Sequence, residues 1–313
     1  MAKDISGMLP SFLRHGNISY IENGRLYIID RRLLPFERRT VECRDALEAS
    51  AAIRSMVTQG GGPLEVALNA LKLEAMHGGD IEAAVRALSG ARPTNTTMKR
   101  TLEALLSSGE DIESAVDMAF RYYDDAYDAV SDRAEALIED GDGILTTCFP
   151  EHTFMLSVAK AMANGKRIRV YVPETRPYLQ GAHLTEPCLR EIGAECYLIT
   201  DGMPAHFMQR GMIQKYMTAS DLALSDRTVV NKTGTLSNAI AASYFGIPYY
   251  ALSMGIDSKR TKSDIEIEYR SGDGIRKIGN LSVAEDDARC IYPCFDIIPS
   301  ELVRGIVTKE GIL

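Results

Sequence analysis

The chain has no run approaching the ~18 apolar residues of a membrane-spanning helix, and its first residues, Met-Ala-Lys-Asp-Ile-Ser-Gly, include no charged leader followed by an apolar stretch. Both absences lead to the expectation of a cytosolic protein with no membrane partner. No Gly-x-Gly-x-x-Gly follows a strand-like run and no Walker lysine loop occurs. A dinucleotide-binding dehydrogenase and a P-loop nucleotide hydrolase therefore lack their signatures. Positive charge is also short: 35 Lys and Arg stand against 43 Asp and Glu, a formal net charge of −8. That balance argues against a nucleic-acid partner, while leaving room for a local basic pocket that holds one phosphate. The six cysteines, Cys43, Cys148, Cys188, Cys196, Cys290 and Cys294, form no disulfide framework, as suits a reducing compartment. Cys290 and Cys294 have neither a second pair nor a nearby histidine to complete a zinc site, so no metal is expected. The five histidines show no Ser-His-Asp or His-x-x-x-His spacing. Only His152, shortly after Cys148, is placed to act as a base, with a solvated helix start as the plainer reading.

What is present is enough chain, 313 residues, to bury a substantial core and to divide into two domains. Asn23-Gly24 between two β-prone runs over residues 18–30 predicts an opening hairpin. Helical spacing follows over residues 44–57, from Pro63 to His77, from Asp80 to Leu88 with Asp80 as cap, from Asn95 to Ser107, and from Asp111 to about Ile138. The run Gln59-Gly60-Gly61-Gly62-Pro63 leads into one of these helices. Its amides can face an anion, or it can be a plain connection. After Asp140-Gly141-Asp142-Gly143 the texture changes. Ile144–Thr147, Ile168–Val172, Cys196–Ile199, Leu222–Ser225 and Pro248–Leu252 read as buried strands, alternating with helices at His152–Asn164, Gly181–Ile192, Ala205–Gln209 and Thr235–Phe245. The expected fold is α/β: a small N-terminal hairpin and mainly helical domain over residues 1–140, then a Rossmann-like parallel-sheet domain over residues 141–313.

In such a sheet Gln180, Asp221, Asn231 and Lys232 gather at one edge, where open α/β sheets bind ligands. Cys148 ends the first strand beside a helix start, a place for a reactive thiolate, although most buried cysteines are inert. Asp221 opens an apolar run. If apolar side chains surround its carboxyl, it can hold a proton at neutral pH and act as a general acid; otherwise it is a turn or helix cap. Asn231-Lys232-Thr233-Gly234-Thr235 offers an amide, an ammonium, hydroxyls and a glycine before a helix, a set suited to phosphate. Arg92 and Arg176 precede prolines, which can aim a guanidinium from a fixed turn, and an ion pair between Glu174 and Arg176 would organise their loop.

Several of these stretches together, Glu-Thr-Arg-Pro-Tyr-Leu-Gln-Gly-Ala-x-Leu-Thr, Leu-Ile-Thr-Asp-Gly-Met, Asn-Lys-x-Gly-Thr, Gly-Ile-Pro-Tyr-Tyr and Pro-Cys-Phe-Asp-Ile-Ile-Pro-Ser-Glu-Leu-Val, resemble the methylthioribose-1-phosphate isomerase family. That family is grouped with ribose-1,5-bisphosphate isomerases and the regulatory subunits of translation initiation factor 2B. The resemblance runs from about Tyr27 to the C-terminus and is most specific in the second half. It implies an aldose–ketose isomerase of 5-substituted ribose 1-phosphates that uses no cofactor and forms a homodimer through its sheet domain. By position it implies Cys148 and Asp221 as the catalytic pair. For the phosphate pocket it implies Arg92, Gln180, Asn231 and Lys232, with Gly61 and Gly62 in the glycine turn. The chain departs from the family pattern in three places. Thr147 and Phe149 flank the cysteine in place of histidine and asparagine, and Ala219-Ser220 precede the aspartate in place of Gly-Ala. The usual Arg-Gly-Ala-Pro turn is Gly60-Gly61-Gly62-Pro63, which removes one charge-assisted phosphate contact.

Overall fold

The structure, a computed structural model, describes residues 5–92 and 96–313. It divides into two compact units, Met1–Ala126 and Tyr127–Leu313. The division falls inside a long helix, earlier than the glycine-rich turn at Asp140–Gly143 where the change of sequence texture had suggested a boundary. Between the helical runs expected at Asp80–Leu88 and Asn95–Ser107, Pro93–Asn95 lie outside the described residues. Among the described residues, no helix is long and apolar enough to cross a membrane.

In the first unit, β1 (Ser19–Glu22) and β2 (Arg25–Ile29) pair antiparallel across Asn23 and Gly24, both at positive φ (50° and 70°), as a tight hairpin turn of this hand requires. A third strand, β3 (Thr40–Cys43), pairs with β2. It was not expected, because only Cys43 in it is buried and an edge strand carries little apolar signal. Five helices follow: α1 (Ala46–Arg54), α2 (Gly62–Met76), α3 (Ile81–Ser89), α4 (Thr96–Ser107) and α5 (Ile112–Glu135). Asp45 caps α1 by accepting the Glu48 amide at 2.8 Å, and Asp80 caps α3 by accepting the Ala83 amide at 2.9 Å. Leu26 and Ile28 of the sheet pack with Leu64, Leu68 and Leu71 of α2 and Leu88 of α3 in one core.

The second unit is built on a six-stranded, all-parallel sheet. Its strands are β4 (Gly143–Leu145), β5 (Arg169–Pro173), β6 (Glu195–Ile199), β7 (Lys215–Ala219), β10 (Tyr249–Leu252) and β16 (Gly305–Val307), in spatial order β16-β10-β7-β4-β5-β6. Helices α6 (Glu151–Ala163), α7 (Glu186–Glu191), α8 (Pro204–Gln209) and α9 (Thr235–Tyr244) occur between them, the arrangement expected of right-handed crossovers. A smaller antiparallel sheet of β8 (Leu222–Ala223), β9 (Val229–Lys232) and β15 (Phe295–Ile298) carries the loop before α9. Between β10 and β15 lie two short ribbons, β11 (Tyr269–Arg270) with β14 (Tyr292–Pro293), and β12 (Lys277–Ile278) with β13 (Leu281–Ser282).

One strand assignment needs correction. The run Leu222–Ser225 is not a strand of the parallel sheet: two of its residues form β8 in the antiparallel sheet. The parallel strand at that point in the chain is β7, whose Tyr216, Met217 and Thr218 are all buried. Its polar atoms are satisfied inside the protein, the Tyr216 hydroxyl by Thr147 Oγ1 at 2.7 Å and Thr218 Oγ1 by the Tyr249 hydroxyl at 2.9 Å. Hydroxyls paired in this way cost little to bury, so the strand does not look apolar.

The start of β4 is equally constrained. Gly143 exchanges hydrogen bonds with Gln214, and a Cβ on it would lie 1.8 Å from the Met212 carbonyl oxygen. Gly143→Ala is therefore expected to destabilise the protein by about 1–3 kcal/mol, the usual range for overpacking. A chemical-denaturation midpoint equal to that of the wild type would contradict this account of the sheet's centre.

Candidate active site

The strand order fixes where a site can form. From β4 the chain winds outward through β5 and β6, then returns to the other side of β4 and winds outward again through β7, β10 and β16. The crevice at such a reversal opens between the two central strands, at their carboxyl ends. Cys148 lies just past the end of β4, and Asp221 just past the end of β7. The two residues are distant in sequence and flank the one switch point of this sheet.

Cys148 is held by its backbone. Its φ is +64°, a left-handed conformation that costs a non-glycine residue roughly 1 kcal/mol or more. Its amide donates to Thr175 Oγ1 at 3.1 Å, and its carbonyl accepts from Thr185 Oγ1 at 2.5 Å. Both threonines belong to the Glu-Thr-Arg-Pro to Leu-Thr segment, which also has Thr175 and Leu179 at positive φ. The segment is anchored by Asp201, whose carboxylate accepts the amides of Thr175 and Arg176, each at 2.8 Å. Asp201 thus does the organising work expected of a Glu174–Arg176 pair. The Arg176 guanidinium instead donates to the carbonyls of Gly274 and Ile275, at 3.3 and 2.9 Å. At the end of the loop Gln180 is buried, and Gly181 begins a π-helical turn, Gly181–Thr185. A Cβ at Gly181 would sit 1.8 Å from the Pro173 carbonyl oxygen, so only glycine lets this turn close on the end of β5.

Asp221, Asn231 and Lys232 arrive on the antiparallel sheet rather than on the parallel one. Leu222 pairs with Val230, and the Asp221 amide donates to the Val230 carbonyl at 3.0 Å, so continuing that register sets Asp221 opposite Asn231. Asn231 and Lys232 are buried, with the Lys232 ammonium 4.9 Å from the centre of the Phe295 ring. The Asn231 amide donates to Thr235 Oγ1 at 3.1 Å. The first amides of α9 are already engaged, since Asp296 Oδ2 accepts from Gly234 at 2.8 Å and Leu236 at 3.0 Å. A carboxylate of the chain itself thus takes the anion position at this helix start. A phosphate here must use the Lys232 side chain rather than those amides.

Electrostatics tie the three groups together. Burial pushes the Cys148 thiol up to about 11; the Lys232 ammonium pulls it down and the Asp221 carboxylate pushes it up further. Asp221 itself is exposed. The apolar surroundings considered for its carboxyl do not fit an exposed residue, and the Cys148 thiol is the group that burial keeps protonated. His152 is not a solvated base either: it is buried, with its ring stacked on Tyr127 at 4.4 Å. Among the described residues no group of three His, Cys, Asp or Glu side chains converges as a metal site would require.

Arg92, Gly61 and Gly62 belong to the first unit. Arg92 is partly buried at the end of the described segment. Gly62 is buried, and its amide donates to the Gln59 carbonyl at 3.2 Å rather than standing open. A Cβ at Gly62 would fall 2.1 Å from Thr58 Oγ1 and 3.0 Å from the Arg31 guanidinium carbon, and Arg31 is fully buried. The Thr58 hydroxyl first, and then the guanidinium, leave no room for a side chain at this position of the turn. Gly61 caps α2 through its backbone. Thr175, Thr185, Asp201 and Asp296 were missed as supporting residues. All but Asp296 of these four act on the Cys148 loop, and each stands in a motif quoted above.

The fold and site define a doubly wound α/β protein with a cysteine and an aspartate at its switch point. Residues 66–313 match the initiation factor 2 subunit family, and the chain belongs to that family. It is 32% identical over 318 residues to the methylthioribose-1-phosphate isomerase 1 of Pseudothermotoga lettingae, covering 92% of each chain. Among solved structures, the 5-methylthioribose 1-phosphate isomerase of Pyrococcus horikoshii shares the fold, with a TM-score of 0.83 over 100% of this chain and 96% of that one at 24% identity. The translation initiation factor eIF-2B subunit delta of A. fulgidus matches with a TM-score of 0.76 at 29% identity, covering 95% of each.

With its thiol raised to about 11, Cys148 is ionised in fewer than about one molecule in a thousand at neutral pH. Its alkylation by iodoacetamide, followed by peptide mass spectrometry, is expected to rise about tenfold per pH unit from pH 7 to 9.5 without a plateau. Asp221→Asn should speed the reaction at any one pH and Lys232→Ala should slow it. A plateau below pH 9 would contradict this electrostatic picture.

Proposed function

We propose that the protein is an aldose–ketose isomerase that converts a 5-substituted ribose 1-phosphate, such as 5-methylthioribose 1-phosphate, to the corresponding ribulose 1-phosphate. The observation that carries this reading is the placement of Cys148 and Asp221 on the two sides of the sheet's switch point, with the Lys232 ammonium acting on the same thiol. The isomerase names of relatives that span nearly the whole chain support it.

The reaction sets clear demands. The C1–O4 ring bond breaks and O4 gains a proton; the hydrogen on C2 moves to C1; the 2-hydroxyl loses its proton as the ketone forms; the phosphate ester stays on C1. One group must give a proton and another must take one. Cys148 enters with its proton held by burial and is suited to give it. The exposed Asp221 carboxyl across the switch point is suited to receive one. This reverses the role expected of Asp221 when apolar surroundings were assumed. Lys232 neutralises the phosphate as a point charge, with buried Gln180 and Asn231 as the polar groups nearest it in the sequence motifs.

A second reading, a sugar-phosphate or nucleotide sensor that controls a partner, is favoured by the likeness to the A. fulgidus initiation-factor subunit. Incubating the protein with methylthioribose 1-phosphate, a 5-deoxyribose 1-phosphate and ribose 1,5-bisphosphate, and following ketose formation by NMR, separates the two. Conversion of at least one is expected. Cys148→Ser and Asp221→Asn should each lower kcat by about a hundredfold or more, the usual worth of a proton-transfer group, with an unchanged fold by circular dichroism. Binding without conversion would support the sensor, and wild-type turnover in either variant would overturn the assignment.

A further inference from the structure

The C-terminal segment holds one buried polar group that nothing above accounts for, placed next to the elements that carry Lys232 and Gln180. Tyr292 is only 4% exposed, yet its hydroxyl has no hydrogen-bond partner among the described residues. Native proteins rarely bury a phenol in this way unless something else completes it. The segment's position is well fixed. Phe295 pairs with Lys232 across the antiparallel sheet, the Thr233 amide donates to the Cys294 carbonyl at 3.3 Å, and the Thr233 hydroxyl donates to the Pro293 carbonyl. On its other side the Tyr292 ring meets the Tyr178 ring edge-on at 5.9 Å, and Tyr178 lies in the loop that carries Gln180. Tyr292 is thus wedged between the Lys232 loop and the Gln180 loop. Tyr178 has a charged neighbour of its own, the Arg270 guanidinium, which lies 5.9 Å from its ring centre.

We infer that the Tyr292 hydroxyl is a substrate-contacting group, which hydrogen-bonds an oxygen of the pentose phosphate bound between Cys148 and Lys232. The inference rests on the proposed isomerase reading for the identity of that ligand. Two facts beyond the unpartnered hydroxyl support it. Ionisation of Cys148 would raise the Tyr292 phenol further, so the two side chains lie within electrostatic reach of each other. Burial also holds the phenol well above its ordinary range, keeping it a neutral hydroxyl that can donate to a sugar or phosphate oxygen. A residue needed only for packing would do better as phenylalanine, which fills the same space without a stranded oxygen.

Tyr292→Phe tests the inference in three measurements on the full chain. Without ligand, its melting temperature should equal or exceed that of the wild type, because no internal hydrogen bond is lost. Its dissociation constant for methylthioribose 1-phosphate, read by thermal shift or calorimetry, should be weaker by about tenfold, and kcat/KM should fall in proportion with most of the change in KM. A lower melting temperature in the unliganded variant, or undiminished binding, overturns the role given to Tyr292. Wild-type binding without turnover overturns the isomerase reading alone, and the binding comparison still decides Tyr292. The comparison uses whichever of the three sugar phosphates named above the wild type binds, and failure to bind any of them overturns both.

Discussion

A parallel sheet that begins at its centre and winds outward twice leaves one pair of neighbouring strands whose following segments turn to opposite sides. In this protein those strands are β4 and β7, and the residues that leave them are Cys148 and Asp221. No local preference brings a thiol and a carboxyl 73 residues apart to one crevice; strand order does so. The surrounding loops then refine the position. Thr175 and Thr185 grip the cysteine backbone from both sides, Asp201 fixes the loop that holds Thr175, and Asp296 fixes the start of the helix that follows Lys232. Most of these motif residues are therefore scaffolding. Few of its side chains are left to meet a ligand.

The electrostatic consequence follows from burial. A thiol in this setting keeps its proton, and the neighbouring carboxylate reinforces that while the ammonium opposes it. On the proposed reading the site serves proton transfer rather than thiolate attack. Sugar isomerisation calls for the same division, with one proton delivered to the ring oxygen and one removed from a hydroxyl. The chain's net charge of −8 does not stand against the phosphate ligand of the proposed reading, because the cation that reading assigns to it, Lys232, is buried and local.

Much of this was legible in the sequence, and the gaps have physical causes. The Asn23-Gly24 hairpin, the Asp80 cap and the α/β alternation after Gly143 are signalled by local turn and cap chemistry, and the structure has them all. β7 was invisible because its strand face is filled with tyrosine and threonine whose hydroxyls pair internally. β3 was invisible because an edge strand is mostly solvated. Cys148, Asp221 and Lys232 stand out in the sequence by their residue chemistry and by the resemblance, whereas the exposure of Asp221, on which its assumed apolar surroundings depended, is a tertiary property. Tyr292 left no sequence signal beyond its place beside the Pro-Cys-Phe-Asp motif. Only its stranded hydroxyl, a fact of packing, singles it out.

The most direct test of the central claim is a crystal structure of the Cys148→Ser variant soaked with methylthioribose 1-phosphate. The account expects the phosphate against the Lys232 ammonium and the C1–C2 edge of the sugar between position 148 and the Asp221 carboxyl. An ordered sugar phosphate elsewhere on the sheet domain, with the switch point between β4 and β7 unoccupied, would contradict it.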